Sequence, residues 1–214
     1  MKTLFITNVG SHMWSMQTPQ SDLDLMLVYQ ESARDILEGK TIHKTKPDRS
    51  FEREGVIIDQ KEQEIGHLVN KLIDGNVNAI WTVCTPLVIE DHPYRKELCE
   101  ITKQNLSKAS YASIKGMAIS QFKDHIKRAD VMPEGKALNS AWRTCVFGQM
   151  LLLSKKIEFK PAPSNDVVTV EDVEWILKGL DYTYENSSLP EQPNEKPFRD
   201  FLFKVRIDEL TQRE

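Results

Sequence analysis

Apolar positions along the chain follow two different periods. In the front part they form short runs rich in β-branched residues, and residues 2–9 (KTLFITNV), 23–29 (LDLMLVY) and 55–59 (GVIID) each predict a β-strand. The period then changes. In QKEQEIGHLVNKLIDG, residues 60–75, Ile65, Leu68, Val69, Leu72 and Ile73 recur at helical spacing, acids occupy the first turn, and Gly75 stands where a C-terminal cap belongs. Beyond GNVNAIWTVCTP the pattern predicts longer helices at 93–106, 108–128, 136–155, 169–179 and 196–212, parted by breakers such as MPEG, FKPAPSND and LPEQPNEKP. The fold class expected is α+β: a mixed β-sheet with flanking helices in residues 1–105, followed by a helical domain in 106–214.

Composition narrows the picture. With 40% hydrophobic residues in 214, the chain can bury a sizeable core. No apolar run approaches the ~18 residues that span a bilayer, and the apolar stretch after Met1-Lys2 is too short for a signal peptide. A cytoplasmic protein with no membrane partner is expected. Cys84, Cys99 and Cys145 are widely spaced and the five histidines are scattered, so neither a disulfide framework nor a structural zinc site is indicated. The thiols are expected reduced and mostly buried.

Charge is segregated. Residues 101–160 hold 11 Lys/Arg against 4 Asp/Glu, a net of +7, so the remainder carries −11 of the overall −4. Such a segment, with Lys123, Lys127 and Arg128 at its centre, either attracts a polyanion or lines ordinary solvated helix faces.

Two short stretches carry candidate chemistry. On an extended strand Asp22, Asp24 and Met26 point to one side and Leu23, Leu25 and Leu27 to the other. Neighbouring carboxylates repel unless a cation sits between them, and two aspartates with substrate phosphates suit Mg²⁺. A polar strand face or turn is the plainer alternative. Upstream, Gly10-Ser11 follows an apolar strand directly, where glycine lets backbone approach a phosphate and serine offers a hydroxyl and an amide donor.

The run GSHMWSMQTPQSDLDL, residues 10–25, resembles the signature of the polymerase-β-like nucleotidyltransferase superfamily, an apolar strand ending in Gly-Ser followed by Asp-x-Asp. More narrowly, it is similar to the predicted nucleotidyltransferase branch associated with RNA repair. LVNKLIDGNVNAIWTVCTP, SYASIKGMAISQF, KALNSAWRTCVFGQMLLLSKKI and SSLPEQPN follow in the order of that branch's later segments. Departures are also present: Trp14-Ser15 stands near the place of a second glycine, and His12 stands where arginine is frequent. Val77 replaces a proline, and Trp81 occupies a position commonly held by glutamate.

The resemblance implies transfer of NMP from an NTP to a hydroxyl acceptor, with RNA a candidate, by a two-metal mechanism using two Mg²⁺ ions. In that reading Asp22, Asp24 and Asp59 are catalytic and metal-binding, while Gly10, Ser11, Ser21, Lys136 and Arg143 bind the nucleotide. The residues themselves leave alternatives open. Asp59 could instead cap the following helix, with Glu54 as the substitute carboxylate. Lys136 and Arg143, seven apart on one helix face with Asn139 and Ser140 between them, could meet only water. Trp142, Phe147, Leu151 and Leu152 read as core rather than a base-stacking platform. The departures at Trp14 and Trp81 motivate a second reading, a catalytically inactive nucleotide- or RNA-binding or regulatory module of the same fold.

Overall fold

The computed structural model describes residues 2–40, 45–127, 135–161 and 168–211. Among these, the strands β1 (Lys2–Asn8), β2 (Leu23–Gln30), β3 (Thr45–Arg53), β4 (Val56–Glu64) and β5 (Val88–Glu90) form one sheet in the order β3-β4-β2-β1-β5. The sheet is mixed. β2 and β4 run parallel, whereas β1 pairs antiparallel with β2 and β5, and β3 pairs antiparallel with β4. β4, β2 and β1 are the interior strands, and in β1 and β2 consecutive apolar residues are buried, so both faces are covered and their sequences read as near-continuous hydrophobic runs.

The chain divides into two compact units. The first takes residues up to Asp74, Asn78–Asn105 and the chain from Asn194 onward; the second takes Gly75–Val77 and Leu106–Pro193. The first unit holds the sheet, the short helices α1 (Gly10–Met13) and α2 (Ala33–Leu37), then α3 (Ile65–Ile73), α4 (Val77–Cys84, apart from its first residue) and α5 (Pro93–Gln104). It also holds the last helix, α9 (Glu195–Thr211), which packs on α2, α3 and α5 through buried Phe198, Phe201 and Val205. Arg206 of α9 reaches Glu64 at 2.5 Å, and the Gln30 side-chain amide donates to the Val205 carbonyl at 3.0 Å.

The second unit consists of α6 (Ser110–Lys127), α7 (Lys136–Ser154) and α8 (Val170–Glu185). Phe147, Leu151 and Leu152 are buried, and Trp142 packs on the cluster of Leu138, Ala141, Val168 and Val173. At Gly148 the three helices meet closely, since a Cβ there would lie 2.7 Å from Ile114 and 2.8 Å from Leu180.

Three local differences from the sequence expectation have physical causes. β3 has no apolar alternation because it is an exposed edge strand, guarded by charges and by Pro47 within an irregular stretch of its ladder. α4 is buried on nearly every side, so it lacks the polar face that marks a helix in sequence. β4 continues five residues past Asp59 to Glu64, and it is Glu64 whose side chain accepts from the amides of Gly66 and His67 at the start of α3. Asp59 is therefore not a helix cap. Glu54, at φ +54, turns the β3–β4 hairpin together with Gly55 and is exposed.

The start of α5 is pH-sensitive. His92 is its N-cap and accepts the Tyr94 amide on Nδ1 at 3.2 Å, which requires a neutral ring, and Pro93 follows at the first helical position. Burial, helped by Lys2, holds the His92 pKa below its ordinary 6.5. The unfolded chain therefore takes up this proton first, so the cap's contribution is complete above pH 6.5 and is lost as the pH falls below it. His92→Asn keeps a capping side chain without a titrating group and is expected to flatten the acid side of the stability profile, as read from thermal melts between pH 7.5 and pH 5. An unchanged slope would show that the acid sensitivity lies elsewhere.

Candidate active site

The end of β1 is braced before the chain turns. Thr7 donates its hydroxyl to the Thr82 carbonyl at 3.0 Å, Thr85 donates to the Asn8 carbonyl at 3.0 Å, and the Asn8 amide donates to the Leu87 carbonyl at 2.9 Å. One residue later the Val9 amide donates to the Asp24 carbonyl at 2.9 Å, which extends the β1–β2 ladder up to Gly10. Gly10 then adopts φ +66, a left-handed conformation that favours glycine, and begins α1.

The absent side chain at Gly10 makes room for a carboxylate. A Cβ there would fall 1.8 Å from Asp24 Oδ2 and 2.6 Å from its Cγ, so the Asp24 side chain lies directly against the Gly10 backbone. Glycine at a strand-to-turn junction thus serves a close approach, and in this structure the approaching group belongs to the protein itself. On the other side of β2, Asp24 is in register with Asp59 of the parallel strand β4. Register partners on adjacent strands project to the same face of the sheet, and both residues are half-buried. Gly10, Asp24 and Asp59, remote in sequence, therefore come together at one end of the sheet.

The other expected site residues are placed differently. Ser11 is half-buried in α1, and its carbonyl accepts the Trp14 and Met16 amides. Ser21 closes a turn with Thr18: the Thr18 amide donates to Ser21 Oγ at 2.9 Å and the Ser21 amide donates to the Thr18 carbonyl at 2.9 Å, with Pro19 between them. Asp22 is exposed and precedes the first residue of β2. Lys136 and Arg143 lie on α7 in the second unit; Lys136 is exposed at the helix start, whereas Arg143 is only 8% exposed. Burial pushes the Arg143 guanidinium down to about 10. An arginine so placed does not line a solvated helix face. On α6, Lys123 and Lys127 are exposed, while Arg128 lies outside the described residues.

A magnesium ion takes one or two carboxylates and completes its shell with water and substrate phosphates. Asp24 and Asp59 fit that donor set: two carboxylates on one sheet face, one of them seated by Gly10. A larger set does not gather. Among the described residues no group of three or more His, Cys, Asp or Glu is placed to hold a metal ion, so Asp22 does not close a three-carboxylate cluster with the other two.

Sequence reasoning did not anticipate the wall behind the turn. Trp14, the residue after α1, is buried and meets Trp81 of α4 edge to face, with ring centroids 5.5 Å apart and planes at 88°. Such pairs contribute about 0.5–1.5 kcal/mol beyond their burial. The two bulkiest departures from the family pattern are therefore in direct contact. The signal that could have linked them was size, a large aromatic in each of two segments.

Over residues 1–196 the sequence matches the family model RlaP, described as the RNA repair pathway DNA polymerase beta family. The chain belongs to the RlaP family. It is accordingly a polymerase-β-like nucleotidyltransferase family member. Among solved structures it is similar to a nucleotidyltransferase-like protein from Exiguobacterium sibiricum, at 14% identity and a TM-score of 0.36, over 95% of this chain and 73% of that one. No curated protein matches it. The RlaP match includes the Gly-Ser turn, both strands bearing Asp24 and Asp59, and the whole of the second unit. No helix among the described residues is long and apolar enough to cross a membrane.

Proposed function

We propose that this RlaP-family protein transfers a nucleoside monophosphate from an NTP to a hydroxyl acceptor, with release of pyrophosphate. The observation that carries the reading is the seating of the Asp24 carboxylate against Gly10, in register with Asp59. When bound, divalent magnesium would screen the triphosphate and favour ionisation of the acceptor hydroxyl. Asp24 and Asp59 would hold it, each presenting an oxygen on one face of the sheet. Asp22, leading into β2, would contribute as a further ligand where a second ion binds with substrate. Ser11 would offer its hydroxyl to a phosphate, and Gly10 would keep the Asp24 carboxylate in place. Ser21, through its turn with Thr18, would fix where Asp22 enters the strand.

Replacing Asp24 or Asp59 by asparagine keeps size and removes the charge. Asp59 is mid-strand and caps nothing, so Asp59→Asn should fold as the wild type does. Each variant is expected to lose transfer by roughly 10³-fold, the scale of about 4 kcal/mol of transition-state stabilisation. The measurement is incorporation of labelled NTP with Mg²⁺ titrated, checked by circular dichroism for folding. Wild-type rates in both variants would remove the pair from the chemistry.

An RNA acceptor agrees with the family's description and with the exposed lysines of the basic segment, Lys123, Lys127 and Lys136. Arg143, being buried, would brace the helical unit instead. Lys123→Gln and Lys127→Gln should each reduce the slope of log affinity against log salt by about 0.7–0.9 for every phosphate that the side chain neutralises in the wild type. A slope unchanged in the double variant would point to an acceptor other than RNA.

The Trp14–Trp81 contact supports a second reading, a nucleotide-binding module without turnover, because Trp81 stands where the resembled pattern commonly has glutamate and Trp14 lies beside the place of its second glycine. Saturable NTP binding with no transfer to any acceptor would favour it.

A further inference from the structure

We propose that Cys84 and Cys99 are a redox modification site, a dithiol that closes to an intramolecular disulfide and reopens under reduction. Cys84 is the last residue of α4 and Cys99 lies in the middle of α5, both within the first unit. Their sulfurs share a hydrogen bond at 3.2 Å across 15 residues of chain. That gap exceeds a disulfide bond of ~2.05 Å by roughly 1.2 Å, a displacement within reach of χ1 adjustment at two helix positions. Both cysteines are free in this structure, Cys84 half-buried and Cys99 buried.

The surroundings favour reaction at this pair. On α5, Arg95 and Lys103 stand one turn before and one turn after Cys99, and Arg95 also donates to the carbonyl of Val83, next to Cys84. The hydrogen bond shared with Cys84, assisted by Lys103 and Arg95 against burial and Glu100, holds the Cys99 thiol below its ordinary range, while the same bond and burial push Cys84 well above it. One thiol thus ionises readily and the other keeps its proton, which is the division of labour between an attacking and a resolving cysteine. Cys145 is the contrast: it lies buried in the second unit and its thiol is pushed up to about 12 by burial.

The oxidant is a hydroperoxide, small enough for a site whose attacking residue is 7% exposed. Cys99 thiolate attacks one peroxide oxygen, the O–O bond breaks, and the departing hydroxide or alkoxide takes a proton to become water or alcohol, leaving Cys99 sulfenic acid. The Cys84 sulfur then attacks Cys99 Sγ; the S–S bond forms, the S–O bond breaks, and the leaving hydroxide takes the Cys84 proton. Two thiols and one hydroperoxide give one disulfide, one water and one water or alcohol, so the sulfurs are oxidised and the peroxide is reduced. The bridge would tie the end of α4 to α5, close in sequence to Trp81 and to Thr82 and Thr85, which brace the end of β1.

The test uses the full chain, reduced, freed of reductant and exposed to hydrogen peroxide. The intact mass should fall by two hydrogens. Tryptic cleavage after Arg95 and Lys96 puts the two cysteines on separate peptides, and these should appear joined in a non-reducing map and come apart with dithiothreitol. Cys145→Ser should leave the cross-link intact, whereas Cys84→Ser should abolish it and let Cys99 advance to the sulfinic acid. An unchanged wild-type mass, sulfinic acid at Cys99 without a cross-link, or a bridge found only between molecules would each overturn the proposal. None of these readouts depends on nucleotide transfer.

Discussion

Gly10→Ala is expected to lower stability and nucleotide transfer together, because one added carbon meets two obstacles. The first is conformational: at φ +66 an L-residue loses about 1–2 kcal/mol relative to glycine. The second is steric, and larger. The new Cβ would stand 1.8 Å from Asp24 Oδ2, 2.6 Å from Cγ and 2.9 Å from Cβ, so the carboxylate must leave its place. A displaced Asp24 should reduce transfer as far as Asp24→Asn does, and a combined loss of about 2–4 kcal/mol should lower the melting temperature by roughly 4–16 °C for a chain of this size. The two obstacles separate in a double-mutant cycle. With Asp24→Ala in the background the two nearest atoms are gone and only the Cβ at 2.9 Å remains, so Gly10→Ala should then lose mainly its backbone share. If the single variant keeps full transfer, the Gly10–Asp24 contact does not position the carboxylate.

Arg206→Ala should destabilise the protein most among single surface-to-core truncations, by about 3–5 kcal/mol, because it strands a charge in a place water barely reaches. Glu64 is 5% exposed on its side chain, and Arg206 only 18%. The carboxylate also accepts the Gly66 amide at 2.6 Å and the His67 amide at 3.3 Å, while Arg206 donates a second bond to the Glu31 carbonyl. A single pair thus joins the last helix, the beginning of α3 and the chain after β2. Glu64→Gln in the Arg206→Ala background should recover part of the loss, since a neutral amide can stay buried where a lone carboxylate cannot. Urea denaturation measures both. A loss below about 1 kcal/mol for Arg206→Ala would mean that the pair is solvated and contributes as an ordinary surface bridge.

What could be read in the sequence follows from which forces are local. β1 and β2 and the helices from α5 onward announce themselves because each has a regular apolar period. β3 does not, since an edge strand facing water on both sides needs no apolar residue. The end of β4 was hidden for a related reason. Gln60, Lys61, Glu62 and Gln63 look like the polar first turn of a helix, yet Glu62 is buried in the sheet with Lys46 at 3.0 Å. A strand whose buried charge is satisfied by its neighbour cannot be told from a helix start without knowing the neighbour. The same limit governs the site. Asp24 and the glycine turn were legible as chemistry, but their mutual contact, the register with Asp59 and the Trp14–Trp81 wall are long-range pairings. Arg143 is the clearest case: one arginine in an amphipathic pattern reads as solvated, and only the folded chain reveals it as buried.

The assignment of α9 to the first unit has a consequence for synthesis. A nascent chain emerging at about 5–20 residues per second needs roughly 5–20 s to pass from Asn105 to Asn194. Throughout that interval the sheet stands without Phe198, Phe201, Val205 and Arg206, so Glu64 still awaits its cation and part of the apolar face lies open. The helical unit, whose sequence is contiguous apart from Gly75–Val77, can complete itself on the ribosome first. The strands that carry Asp24 and Asp59 are made early and secured last, and a chain released before Arg206 would expose the unit that holds the candidate site to aggregation while leaving the later-made helices folded.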